Sequence, residues 1–86
     1  MNLKTHEKMN TRKQIESKMA AMISGITGCP VDVTVLTAGK LYLSIEIEGN
    51  NTGAVSALRN FFGSKFDAAE YDAELGYTYA GVNLEA

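Results

Sequence analysis

Across 86 residues the chain has one histidine, one cysteine and one proline, and each scarcity removes a class of chemistry. His6 stands far from Cys29 in the sequence, so neither that thiol nor any serine has a positioned base beside it, and no catalytic residue is assigned. Structural zinc takes about four Cys or His ligands, which these two residues cannot supply within one chain, so neither a metal site nor a cofactor is expected. A lone thiol forms no internal disulfide, and Cys29 beside Pro30 reads as a small packed hydrophobe. The longest apolar run, Met19-Ala20-Ala21-Met22-Ile23, is far short of the roughly 18 residues that suggest a membrane span, and the N-terminus has no apolar signal region. The expectation is a cytoplasmic protein without a membrane segment.

What is present is an ordinary globular composition, 45% apolar and 21% charged, enough for one modest core and too small for two. The net charge of −2 conceals an asymmetry. Lys4, Lys8, Arg12, Lys13 and Lys18 crowd the start, whereas the stretch from residue 66 onward holds acids and no lysine or arginine. Residues 1–10 show no apolar periodicity and read as a flexible tail, leaving residues 11–86 as a single α+β domain.

Thr11-Arg12-Lys13-Gln14 fits a capping box, which predicts a helix from Arg12. Ile15, Met19, Met22, Ile23 and Ile26 make its apolar stripe, and Gly28 with Pro30 ends it near Thr27. Strict alternation in Val31 to Val35 and in Leu41 to Glu48 predicts two half-buried strands. A two-residue turn would oppose core and solvent positions. A three-residue turn at Thr37-Ala38-Gly39 pairs Val35 with Leu41, Val33 with Leu43 and Val31 with Ile45, with glycine at the bulge. Ala54, Val55, Leu58, Phe61 and Phe62 then mark a second amphipathic helix ending at Gly63.

The segment from Phe66 to Leu75 supports two periods. As a strand it sets Ala69, Tyr71 and Ala73 against Glu70, Asp72 and Glu74; as a helix it has a stripe of Ala68, Tyr71 and Leu75. The strand is preferred, with a turn at Glu74-Leu75-Gly76 pairing Ala73 with Tyr77 and Tyr71 with Tyr79. The predicted fold is αββαββ, two helices on one face of a four-stranded antiparallel sheet, with αββααβ as the alternative.

That alternative order resembles the type II KH domain, which binds single-stranded nucleic acid through a GxxG loop between two helices. Gly63, Ser64 and Lys65 match the loop, and Phe66 stands where the final glycine belongs. The resemblance would imply a degenerate nucleic-acid-binding module using Lys65 and the basic first helix. The acidic chain end opposes this, since backbone binding needs a basic surface to displace counterions, and nucleic acid is not expected as a partner. Gly25-Ile26-Thr27-Gly28 lacks a basic residue and leads into a strand, so it reads as a helix end and not as a phosphate loop.

In the preferred fold one sheet face is left open, carrying Asp32, Glu46, Glu48, Glu70, Asp72 and Glu74 with Tyr42 and Leu36 among them. Calcium needs six to eight oxygens wrapped by a loop, and carboxylates spaced along strands do not wrap. Clustered carboxylates with aromatics suit docking on a basic protein surface. The sequence therefore predicts a non-catalytic interaction module, monomeric or homodimeric, such as the accessory or inhibitory proteins that phages and mobile elements encode.

Overall fold

The computed structural model describes residues 3–37 and 41–85, with side chains from residue 12 onward within those ranges. Helix α1 spans Leu3–Thr27, strands β1 and β2 span Val31–Leu36 and Tyr42–Glu48, and helix α2 spans Thr52–Phe62. A single 3₁₀ turn, Gly63–Lys65, leads into β3, Phe66–Asp72, and β4, Tyr77–Asn83. The sheet is antiparallel throughout, in the order β1-β2-β4-β3, and both helices pack on one of its faces, as the αββαββ pattern requires. The alternative αββααβ order is excluded, because residues 66–72 are a strand.

Two αββ units meet where β2 pairs with β4, and positions pair off between them at one constant spacing. Ile23 matches Leu58, Gly28 matches Gly63, Val31 matches Phe66 and Tyr42 matches Tyr77. Ile23 and Leu58 are both fully buried, and together with Ala54 they cap a sheet core of Val33, Val35, Leu43, Ile45, Ile47, Ala80 and Val82. Gly28 and Gly63 both take positive φ, 75° and 58°, where a side chain would be strained, and each ends its α-helix.

Four local expectations are corrected. Helix α1 starts at Leu3 and not at Arg12, so Thr11 lies inside it and does not act as its cap. Residues 3–11 contain no glycine or proline, and their leucine, lysine, glutamate and methionine carry good helix propensity even without an apolar stripe. The stripe itself is only partly core: Ile23 is buried and Met19 packs against it, while Ile15 and Met22 remain 46% and 39% exposed. A helix lying on one edge of a narrow sheet, beside a second helix, buries only part of such an arc.

The first hairpin is displaced by two residues from the expected register: Val31 opposes Ile47, Val33 opposes Ile45 and Val35 opposes Leu43. A slide of two leaves every side chain on its own face, so alternation cannot distinguish the two registers. The observed one places all of β2 alongside β4, from Tyr42 opposite Asn83 to Glu48 opposite Tyr77. Of the turn expected at Thr37-Ala38-Gly39, Ala38 and Gly39 lie outside the described residues.

The second hairpin differs by an odd step, with larger consequences. Asp72 opposes Tyr77 and Glu70 opposes Tyr79, so the connection is Ala73 to Gly76 and Glu74 sits in it, off the strand. Asp72 builds this turn: its Oδ1 accepts the N–H groups of Glu74 at 2.9 Å and Leu75 at 3.2 Å, and its carbonyl accepts that of Gly76 at 2.8 Å. The odd step moves Tyr77 and Tyr79 from the helix-covered face, where the expected register had put them, to the open one.

Candidate functional site

The open face is assembled strand by strand. Asp32 on β1 opposes Glu46 on β2, Glu46 opposes Tyr79 on β4, and Tyr79 opposes Glu70 on β3, giving one straight row across all four strands. Beside it runs a shorter row of Glu48, Tyr77 and Asp72. The strands contain Asp32, Glu46, Glu48, Asp67, Glu70 and Asp72 and neither lysine nor arginine. Among the described residues the face carboxylates form no ion pair, the pair between Arg12 and Glu16 lying on α1. Direct apposition of Asp32 and Glu46 carries a cost of a few tenths of a kcal/mol in a sheet, roughly, so the layout works against stability unless something cationic approaches.

Tyr77 and Tyr79 stand in the middle of this charge, with ring centroids 6.5 Å apart and tilted by 35°. The Tyr79 hydroxyl is pushed above its ordinary pKa, by partial burial first and then by the negative charge of Glu46 and Asp72. Sequence reasoning assigned both rings to the core face. The usable signal was Thr78, Ala80 and Val82, a small-to-apolar alternation that is buried, read together with an Asp-x-x-x-Gly turn at Asp72 to Gly76.

Tyr42 closes one end of the face. Its ring crosses over Gly81 on β4, and its hydroxyl donates to Asp67 Oδ2 on β3 at 2.7 Å, a bond that is the main reason its pKa is raised. A Cβ at position 81 would meet Tyr42 Cζ at 2.7 Å and the hydroxyl nearer still, so glycine there is what lets the ring lie flat across the strand. The floor beside it is an open depression of about 530 Å³, lined by Tyr42, Ser44, Ala68, Glu70, Tyr79 and Gly81. It is a surface feature and not an enclosed cavity.

Of the residues expected on this surface, Asp32, Tyr42, Glu46, Glu48, Glu70 and Asp72 share it, while Glu74 belongs to the turn at its rim. Leu36 is 43% exposed and opposes Tyr42 at the same end. The basic residues with described side chains are segregated: Arg12, Lys13 and Lys18 on α1, Arg59 on α2 and Lys65 after it all belong to the helical layer. Gly63–Lys65 is a 3₁₀ turn between a helix and a strand, so the loop between two helices that the KH resemblance requires is not formed.

Among the described residues no three Cys, His, Asp or Glu side chains converge as a metal-ligand set. Cys29 is half-buried and serves local order: its Sγ accepts from Asn51 Nδ2 and contacts Thr27 Oγ1, both at 3.4 Å. No described helix is long and apolar enough to cross a membrane. Comparison with protein-family models, curated proteins and solved structures returned no match.

Proposed function

We propose that this protein is a non-catalytic interaction module that docks its acidic, tyrosine-bearing sheet face on a basic patch of a partner protein. The observation that carries the reading is the row Asp32, Glu46, Tyr79 and Glu70, formed on a sheet whose strands contain no cationic residue. Among the described residues these carboxylates have no cation of their own to give up, so a lysine or arginine can offset their desolvation by charge-assisted hydrogen bonds, and tyrosine rings between them offer cation–π contact. The layered separation of charge also gives the molecule a dipole that would orient an approaching basic surface toward the sheet and raise its encounter rate.

A competing origin for such a face is plain solvation, which many antiparallel sheets show. The tyrosines favour docking: Tyr77 and Tyr79 are half-buried on a face that solvation alone would leave to small polar residues. The role as an accessory or inhibitory protein of a phage or mobile element fits the size and the acidity, and it belongs to this proposal.

The test is an amide NMR titration with a nona-arginine peptide at low and at high salt. Shifts should centre on Glu46, Glu70, Tyr77 and Tyr79, fade with salt, and vanish in the Asp32→Lys/Glu46→Lys/Glu70→Lys variant. Asp72 is kept in that variant because it holds the turn. Shifts of equal size in the charge-reversed protein would refute the docking face.

A further inference from the structure

The two edges of the sheet are not equivalent. Along β1, Val35 N–H donates to Glu16 Oε2 at 2.9 Å, and Val35 C=O accepts from Arg12 at 2.7 Å, so two α1 side chains occupy the outward backbone groups of Val35 on that edge, next to the packed helix α1. Because Val35 points outward, alternation of the antiparallel ladder fixes the direction of every other residue. Asp32, Thr34 and Leu36 bond to β2; Leu43, Ile45 and Ile47 bond to β4; Thr78, Ala80 and Val82 answer them, which leaves Tyr77, Tyr79 and Gly81 to bond β3. Asp72, Glu70 and Ala68 complete those pairs. Ala69 and Tyr71 therefore direct their N–H and C=O groups away from the sheet, and among the described residues no group bonds them.

Beside this free edge, α2 and β3 border a groove of about 300 Å³ that includes Val55, Ser56, Arg59, Ala69, Tyr71 and Thr78. An edge strand next to a helix groove is the geometry by which an extended chain adds as a further strand, taking main-chain bonds from the edge and seating alternate side chains in the groove. Tyr71 is 40% exposed there, an apolar ring without a full complement of neighbours.

Charge decides the occupant. A second copy pairing about Glu70 would place Glu70 against its own counterpart, and pairing about Tyr71 would place Glu70 against Asp72, each a direct like-charge apposition. Pairing about Ala69 runs into the bulge between Phe66 and Ala68. A strand whose residues alternate between cationic and apolar meets neither obstacle: its cations lie beside Glu70 and Asp72 on the open face, and its apolar residues lie beside Tyr71 and Val55 in the groove.

We propose that the β3 edge at Ala69 and Tyr71 is a strand-addition site for an extended, alternately basic and apolar segment of a partner protein, bound antiparallel to β3. This rests on the acidic-face reading for the charge of the partner, and adds to it the main-chain mode of attachment.

The probe is an acetylated, amidated heptapeptide of alternating lysine and valine, Lys-Val-Lys-Val-Lys-Val-Lys, with two N-methylated versions, one methylated on the valines and one on the lysines. In antiparallel addition the valine main chains face Ala69 and Tyr71, so valine methylation should weaken binding at least about tenfold while lysine methylation leaves it near the parent value. Hydrogen exchange at the Ala69 and Tyr71 amides should slow in the complex. Peptide-induced shifts at Glu46, Tyr77 and Tyr79 with no protection of Ala69 and Tyr71 and equal tolerance of both methylations would overturn strand addition and leave the acidic face standing. No binding of the parent peptide at low salt would overturn both.

Discussion

Replacing Gly81 by alanine probes how the open face is built. The added Cβ would stand 2.7 Å from Tyr42 Cζ, and since the ring is the far end of a movable side chain, the ring rather than the strand should give way. Displacing it breaks the 2.7 Å bond to Asp67, about 1–1.5 kcal/mol for an exposed hydroxyl–carboxylate pair, and uncovers β4, about 0.5–1 kcal/mol more. Alanine recovers about 0.5–1 kcal/mol through its lower unfolded-state entropy. The net expectation is a loss near 1 kcal/mol in Gly81→Ala, measured by urea unfolding with an unchanged m-value. In a Tyr42→Ala background the same substitution should change sign and stabilise by about 0.5–1 kcal/mol, because only the entropy term remains. The Tyr42 hydroxyl should also titrate closer to its ordinary value in Gly81→Ala. Equal destabilisation in both backgrounds would refute the claim that position 81 is glycine because of the Tyr42 ring.

Thr78, the one buried polar side chain among the described residues, donates to Gly49 C=O at 2.5 Å and accepts from Asn51 N–H at 3.3 Å, so Thr78→Val should cost about 2 kcal/mol in urea unfolding by leaving both backbone groups unpaired. Arg12→Ala with Glu16→Ala should free the outward backbone groups of Val35 on the β1 edge, and stronger concentration-dependent association in sedimentation than in the parent is the expected readout. Tyr42 and Tyr79 both have raised pKa values, so the folded state holds its phenolic protons more tightly than the unfolded one. That contribution is complete below the ordinary value near 10 and is lost as pH rises through the folded values, so stability should fall with pH above about 10, and less steeply in Tyr42→Phe/Tyr79→Phe. A parallel decline in that double variant would remove tyrosine from the account.

Alternation in residues 31–35 and 41–48, the stop signals at Gly28 and Gly63, and the apolar spacing from Ala54 to Phe62 were enough to place two helices and the first hairpin, whereas the second hairpin and its share of the acidic face rested on the segment from Phe66 to Leu75, whose pattern fits a strand and a helix alike. These are local properties: a pleat period of two and a helix period near 3.6 are written in consecutive residues. Charge segregation was legible for the same reason, since the strands carry their acids in the alternating positions.

Tertiary pairing decided the rest. A slide of two residues in the first hairpin changes no side chain's face, so local pattern is blind to it, and the match of β2 to β4 selects the register. In the second hairpin Asp72 keeps its expected place on the strand face and also holds the turn through its side chain, and the odd step in register moves Tyr77 and Tyr79 onto the open face. The strand order, with β4 inside and β1 and β3 at the margins, leaves β4 no free edge. It also gives the β1 edge Arg12 and Glu16 on Val35, while among the described residues nothing bonds Ala69 and Tyr71 on the β3 edge. Sequence alone determined which residues want burial and which want water; partners distant along the chain determined which of them stand side by side, because register and strand order are set by contacts that no local period encodes.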